Sequence, residues 1–393
     1  MGGMTTIHGE VVAGFEGVRD AFAENFAERE DIGAAVCVYR DGRPVVDLWG
    51  GSADPGTGRP WERGTLQLVY SATKGATAAA AHLLVQRGLL ELDAPVAEYW
   101  PEFAANGKAE IPVRFLLSHQ SGLVALDRPV PLAEALAWHP MTAALAAQRP
   151  VWVPGTTHGY HGRTWGWLVG EVIRRVSGRT PGRFFADEIA APLGLDFFIG
   201  LPTGERSRVS HMAFRKPDVD LTTLPPESVP EDLREQVAAW RDPDSLSNRA
   251  YAVTDPAGID FNSPEVQAAE LPSSNGIGTA RALARLYAAL IGEVDGVRLL
   301  TPGTLASATA EQANGQDRVM LVPSRFSTGY MLPTDANPMT GPGAFGHTGR
   351  GGSLGFADPD LGIAFGYVVN HIIGGSGDVR AQSLVDAVRK SLV

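Results

Sequence analysis

Gln67-Leu68-Val69-Tyr70-Ser71-Ala72-Thr73-Lys74 runs directly into the alanine-rich stretch from Gly75 to Leu90. Residues 67–70 read as an extended approach and residues 75–90 as a helix. Ser71 and Lys74 lie three residues apart at that helix's start, so their side chains share a face. A serine hydroxyl alone is a poor nucleophile, but an amine whose pKa is lowered by burial and charge can take its proton. The helix start adds partial positive charge and presents the Ser71 N–H to a developing oxyanion. The competing reading is a surface serine and lysine on an ordinary helix, and the rest of the chain has to decide.

Working outward, Ala34–Tyr39 and Val45–Trp49 are apolar runs joined around Asp41-Gly42, the pattern of a β-hairpin. Before it, Val12, Phe15, Val18, Phe22 and Phe26 recur at helical spacing, which predicts a helix within 9–29. Beyond residue 80 the chain reads as helix-rich with Pro/Gly loops, clearest at Asp93–Trp100, Pro112–Leu117 and Thr164–Val176. Residues 215–275 are polar, Pro-rich and poorly periodic, the profile of lid or site-lining loops. A helix follows over Thr279–Leu290 with Thr279 as N-cap. Ser353–Ala357 and Ile363–Val369 make a second hairpin, and Asp378–Leu392 a closing amphipathic helix. Hairpins at both ends predict an α+β fold: one antiparallel sheet built from both chain ends, flanked by helices, beside a helix-rich insertion. The expected division is 1–80 with 285–393 for the sheet and 81–284 for the insertion.

With 393 residues the chain can bury a large core. A net charge of −11 argues against nucleic acid and against an anionic membrane surface. Its single cysteine, Cys37, forbids an internal disulfide and lies in an apolar run. No apolar run reaches membrane-spanning length and residues 1–30 lack a signal-like apolar core, so a cytoplasmic location is expected. Oligomeric state is not legible.

Three further segments bear on Ser71. Pro154-Gly155 is followed by Tyr160 and then the helix containing Trp165–Ile173. Leu116–Leu123 contains Ser118-His119-Gln120-Ser121-Gly122, and Gly346-His347-Thr348-Gly349 opens the terminal hairpin. In this order and separation, the set resembles the serine β-lactamase and penicillin-binding-protein superfamily. More narrowly it is similar to the class C β-lactamase-like esterases, the family VIII carboxylesterase type. The resemblance covers residue 33 to the C-terminus. It implies Ser71 as the acylated nucleophile, Lys74 as its proton partner and Tyr160 as second base. It places His347, Thr348 and Gly349 on the strand lining the site, where many relatives have Lys-Thr-Gly. It gives an oxyanion hole from the backbone N–H groups of Ser71 and Arg350, with Gly351 the substitute if the register slips. Positive charge from Lys74 and His347 would stabilise a Tyr160 phenolate, whose reference pKa is about 10.

One departure matters. Relatives usually carry Asn two residues after the tyrosine, holding the lysine and a substrate's amide side chain; here Tyr160-His161-Gly162 lacks it. That favours a substrate without a side-chain amide and leaves Lys74 short of a partner, with His161 the candidate substitute. A rival nucleophile, Ser353, sits in Gly351-Gly352-Ser353-Leu354-Gly355, with Asp358 and His371 available. The G-x-S-x-G motif needs a helix after its serine, and a hairpin follows here. His158 and His161 lack a third ligand, so neither a metal nor a cofactor is expected. The expectation is a serine carboxylesterase for small to medium acyl esters acting through a Ser71 acyl-enzyme. The alternatives are an amide hydrolase (β-lactamase, D-amino-acid peptidase or oligomer amidase) and a non-catalytic binding module.

Overall fold

The computed structural model describes residues 5–374 and 378–392. Its main sheet joins β1 (Ile7–Val11), β2 (Gly33–Arg40) and β3 (Arg43–Asp54) to β4 (Phe345–Thr348), β5 (Leu354–Asp358) and β6 (Ile363–Val369). The order is β1-β3-β2-β6-β5-β4, with Arg59–Pro60 pairing onto β3. Every named pair is antiparallel, and the two chain ends meet at β2–β6, where Ala34 faces Val369 and Arg40 faces Ile363. The first hairpin turns at Asp41 and Gly42, both at positive φ, as a tight two-residue turn requires.

Alternation along β2 sorts side chains to two faces. Val36 and Val38 join Phe356 and Phe365 beneath α1 (Glu16–Glu28) and the C-terminal helix Arg380–Lys390, represented by Val18, Phe22, Leu384 and Val388. Cys37 and Tyr39 face the other way with Ala364 and Val368, against Leu283 and Tyr287 of the helix Ala280–Ile291. Thr279 caps that helix as expected, its hydroxyl accepting from the Ala282 N–H at 3.1 Å. Burial pushes the Cys37 thiol far up, so it is an inert core group.

The helix predicted within 9–29 begins only at Glu16. Residues 7–11 form an edge strand on β3, with Ile7 opposite Gly50 and Val11 opposite Val46. Phe15, Val18 and Phe22 are buried, whereas Val12 is 52% exposed. Gly14 at φ +95° separates the two elements. A two-residue alternation therefore won where a helical spacing was equally readable.

Behind the sheet, α2 (Thr73–Gln86) threads the centre of the molecule. Its alanines Ala76, Ala78, Ala79, Ala80 and Ala81 are all buried, as expected for a helix that is apolar all round. α3 (Thr164–Ser177) packs beside it and ends at Gly178 in the left-handed conformation. The core is continuous from sheet to helices, including Leu84, Leu117, Trp165 and Leu168 with Tyr39 and Val368. The stretch 215–275 holds short helices at Arg234–Arg241, Leu246–Tyr251 and Pro264–Ala268 between irregular segments. No helix among the described residues is long and apolar enough to cross a membrane.

Close approach explains one glycine of α2. A Cβ on Gly75 would sit 2.0 Å from the Tyr287 hydroxyl, which is buried without a hydrogen-bond partner among the described residues. Gly75→Ala is expected to cost about 1–3 kcal/mol through overpacking. Tyr287→Phe should be near neutral alone and recover part of that loss in the double variant. Denaturant unfolding of the four proteins checks this, and additive losses would contradict it.

Candidate active site

The approach to Ser71 is held by several independent bonds. Gln67–Leu68 pairs with Ile277–Gly278, and the Val69 N–H donates to the Gly276 carbonyl at 2.9 Å. Tyr70 then adopts φ +47°, a costly conformation for a non-glycine residue, and Ser71 sits in a single 3₁₀ turn before α2. Thr73 locks the turn: its hydroxyl donates to the Tyr70 carbonyl at 2.5 Å and accepts from the Gly276 N–H at 2.7 Å. In this first turn the Ser71 N–H has no intrahelical acceptor.

Lys74 is fully buried. Its Nζ lies 3.2 Å from Ser71 Oγ, 3.1 Å from the Gly162 carbonyl and 3.0 Å from the Ser273 carbonyl. It also lies over the rings of Tyr160, at 4.8 Å, and Trp165, at 5.9 Å. No carboxylate contacts it among the described residues. Burial, aided by the positive charge of Arg163, lowers its pKa well below the usual lysine value. In the neutral amine two N–H groups satisfy the two carbonyls, and the lone pair faces the serine hydroxyl.

Tyr160 lies on the other side of Lys74, its ring 4.8 Å from Nζ, and its phenol is close enough to Ser71 for the serine to bear on its pKa. Its backbone N–H donates to Asp317 Oδ1 at 3.1 Å, and its ring packs between Phe326 and His119, with centroids at 6.1 and 5.0 Å. Burial raises its pKa far above the ordinary phenol value, reinforced by Tyr251 and only partly offset by the neighbouring Ser71. Stabilisation of a resting phenolate by Lys74 and His347, expected above, is therefore not what the structure shows. The amine resists its charge and His347 is neutral, its pKa lowered to about 3 by burial and the nearby lysine.

His347 and Thr348 end β4, beside the Ser71 turn. The His347 Nδ1–H donates to the Thr348 carbonyl at 2.7 Å, leaving Nε2 buried and unpartnered among the described residues, with the ring 6.0 Å from that of Tyr160. Gly349 permits the strand to close on the serine turn, because a Cβ there would meet the Val69 carbonyl at 2.1 Å. The Gly349 N–H is used by the Ser353 carbonyl, whereas the N–H groups of Arg350 and Gly351 have no backbone acceptor among the described residues. Thr348, Gly349, Arg350 and Gly351 line a cavity of about 750 Å³ shared with Phe214 and Trp240. Ser71, Lys74 and Tyr160 do not line it, so this cavity abuts the convergence point rather than containing it.

A beta-lactamase family profile matches residues 18–389. The chain belongs to the beta-lactamase family. It is 38% identical over 367 residues to "Esterase/beta-lactamase LipL" of Mycobacterium tuberculosis, spanning 90% of this chain and 80% of that protein. A solved family VIII carboxylesterase superposes with a TM-score of 0.86 at 36% identity, over 98% of this chain and 100% of that one. A penicillin-binding-protein homologue from Caulobacter crescentus gives the same score, identity and coverage.

Within this beta-lactamase family member, the position of the missing Asn is filled differently from expectation. His161 turns away from Lys74: its Nε2 accepts from the Leu123 N–H at 3.2 Å and bonds Ser121 Oγ at 2.9 Å, and its Nδ1–H donates to the Gly159 carbonyl at 2.7 Å. Lys74 is partnered instead by backbone carbonyls at Gly162 and Ser273, which no side-chain motif announces. A Cβ at Gly162 would meet the Tyr251 ring at 2.9 Å, so Tyr251 closes that wall. His119 braces the loop, its Nδ1 accepting from the His161 N–H at 3.1 Å.

The rival triad does not assemble. Ser353 leads into β5, Asp358 accepts from Thr340 at 2.8 Å, and the His371 ring bonds the Glu30 carbonyl at 2.7 Å. His158 bonds Ser324, and no group of three metal-binding side chains occurs among the described residues.

One buried network, unseen in the sequence, steadies the Arg350–Gly352 turn. Arg380 donates to the Gly351 carbonyl at 3.0 Å and the His371 carbonyl at 2.9 Å, and pairs with Asp31 at 2.9 Å and with Asp378. Tyr367 donates its hydroxyl to Asp31 as well. Burial still pushes the Asp31 carboxyl up to about 6, against the pull of Arg380 and Tyr367. A folded-state pKa above the ordinary 3.8 means that the folded chain holds this proton more tightly. The contribution is complete below that ordinary value and is lost as pH rises through about 6. Arg380→Met, which leaves Asp31 without its cation, is expected to lose about 3–5 kcal/mol at alkaline pH. The loss should shrink below the Asp31 pKa, where the carboxyl is neutral. Urea unfolding at acid and alkaline pH reads this, and a pH-independent loss would contradict it.

Proposed function

We propose that this protein is a serine carboxylesterase cleaving small to medium acyl esters through an acyl-enzyme on Ser71. The observation that carries the proposal is the Lys74 amine, 3.2 Å from Ser71 Oγ, with its other two partners neutral carbonyls and no carboxylate among the described residues to hold it charged. The neutral amine takes the Ser71 proton as Oγ attacks the ester carbonyl. The oxyanion is received by the Ser71 and Arg350 N–H groups. Collapse expels the alcohol, which takes its proton from the neutral Tyr160 phenol. A phenolate is then left beside the newly charged Lys74, the one moment at which opposite charge favours it. Water gives that phenolate a proton as it attacks the acyl group, and the Lys74 ammonium returns its proton to Ser71 Oγ. Each group ends as it began.

Esters are favoured over amides because the wall at Gly162 and Tyr251 offers no side-chain amide to a peptide-like substrate. The names of LipL and of the family VIII carboxylesterase support the same reading. The amide-hydrolase alternative is kept because LipL is named for both activities. A cytoplasmic site of action is part of the proposal.

Ser71→Ala is expected to reduce ester turnover by as much as ~10⁶-fold, as for catalytic groups acting as a unit, while Ser353→Ala keeps wild-type turnover. Nitrophenyl-ester and chromogenic-cephalosporin assays run in parallel check this; rapid cephalosporin turnover with negligible ester turnover would overturn it. The pH profile gives a second check. Protonating Lys74 removes the base, so kcat/KM should fall as pH drops through its depressed pKa and plateau above it. His347 and His161, both lowered to about 3 by burial, stay neutral across that range. His347→Gln should leave the midpoint of the limb in place; a limb that vanishes with His347 would assign the base to the imidazole.

A further inference from the structure

Arg163, three residues beyond Tyr160, is the N-terminal flanking residue of α3. Its guanidinium lies 5.4 Å from the centroid of Phe261, whose ring meets Tyr70 edge-on at 4.9 Å. Tyr70 is the strained residue directly before Ser71, so this stack ties Arg163 to the nucleophile's own turn. The side chain is partly buried, yet no carboxylate lies within salt-bridge reach of it and no acceptor takes its N–H groups among the described residues. The groups that feel its charge are Lys74 and Arg350, both cationic or basic, and the phenols of Tyr70, Tyr160 and Tyr251. Arg350 too forms no ion pair among the described residues, its guanidinium resting 5.8 Å from the Phe214 ring. The acids nearby are spent or exposed: Asp317 accepts from Tyr160, Val319, Met320 and Ser324, and Asp260 is exposed beside Tyr70.

This is a local inversion of charge. A chain carrying −11 overall gathers beside its serine two guanidinium groups that no described residue neutralises, with the Tyr70 and Tyr251 phenols kept protonated by burial as neutral donors. A partly desolvated arginine with no counter-ion among the described residues calls for an anion, the exposed Arg350 adds a second cation, and a planar guanidinium is matched to a carboxylate. Arg163 also repels a proton from Lys74, so the same residue favours the free base.

We propose that Arg163, seconded by Arg350, forms a carboxylate-binding subsite, so that the preferred substrates are esters carrying a carboxylate on the acyl or the alcohol part. The inference rests on the esterase reading and names its substrate class. The test compares matched ester pairs: para-nitrophenyl hydrogen adipate against para-nitrophenyl heptanoate for the acyl side, and para-acetoxybenzoate against its methyl ester for the alcohol side. The wild-type enzyme should prefer the anionic member of at least one pair by about 10- to 100-fold in kcat/KM, the range of a charge-assisted hydrogen bond. That preference should weaken with added salt. Arg163→Gln should bring the ratio close to one, and Arg163→Lys should keep a reduced preference. Each ratio is taken within one variant, so any change in the Lys74 base cancels. No preference in the wild type, or a preference surviving Arg163→Gln, overturns the subsite; if Arg163→Gln does not fold, an unchanged ratio in Arg163→Lys does so. Ester turnover without charge preference sinks only this inference, whereas absence of Ser71-dependent ester turnover sinks the esterase reading. In that second case the subsite is still read by whether benzoate protects Ser71 from a fluorophosphonate probe in wild type but not in Arg163→Gln.

Discussion

Lys74 is the constraint around which the site is arranged. An amine with no exposed surface and two carbonyl partners cannot stay charged cheaply, because neutral acceptors do not repay the desolvation of an ammonium. Its third direction faces Ser71 Oγ. The same dryness keeps Tyr160 a phenol and the cleft histidines neutral, their shifts led by burial. Lys74, Tyr160 and the buried histidines are proton donors and acceptors whose charges appear only as the reaction proceeds, with the charge of Arg163 set beside them. This is the setting in which preorganised dipoles act most strongly.

The fold supplies that dryness from distant parts of the chain. α2 brings the serine and lysine through the centre of the molecule, the start of α3 brings Gly162 and Arg163, and the segment before Ala280 brings Ser273. β4 closes the opposite side, fitted against Val69 through Gly349. The sheet is joined at β2–β6 from both ends of the sequence, so β4 and the serine turn are held in one frame. Arg380, from the last helix, fastens the turn after β4 through Gly351.

Much of this was legible in the residues. Ser71 with Lys74 at a helix start, the Asp41-Gly42 hairpin, the Thr279 cap and the terminal hairpin each carry a strong local signal, and each element stands where its pattern placed it. A strand follows Ser353, as its context implied, and its formal partners Asp358 and His371 are engaged elsewhere. What was not legible involves backbone or long-range fit. The lysine's partners are main-chain carbonyls, and side-chain motifs say nothing about those. His161 turned toward Ser121 and Leu123 because that loop offered it bonds on both ring nitrogens. The first strand was hidden because Ile7–Val11 satisfies a two-residue repeat and overlaps a run that also satisfies a helical one. Residues 215–275 gave no periodic signal because their helices are too short to show one. They nevertheless contribute Tyr251, Phe261 and Ser273.

The central claim is that the amine beside Ser71 is a free base at neutral pH. The most direct measurement is an NMR titration of the Lys74 side-chain nitrogen in the resting enzyme, assigned by comparison with Lys74→Arg. The account predicts an uncharged amine through neutral pH, with its titration midpoint far below that of an exposed lysine. A nitrogen that remains an ammonium up to the ordinary lysine range, near ~10.4, would contradict it.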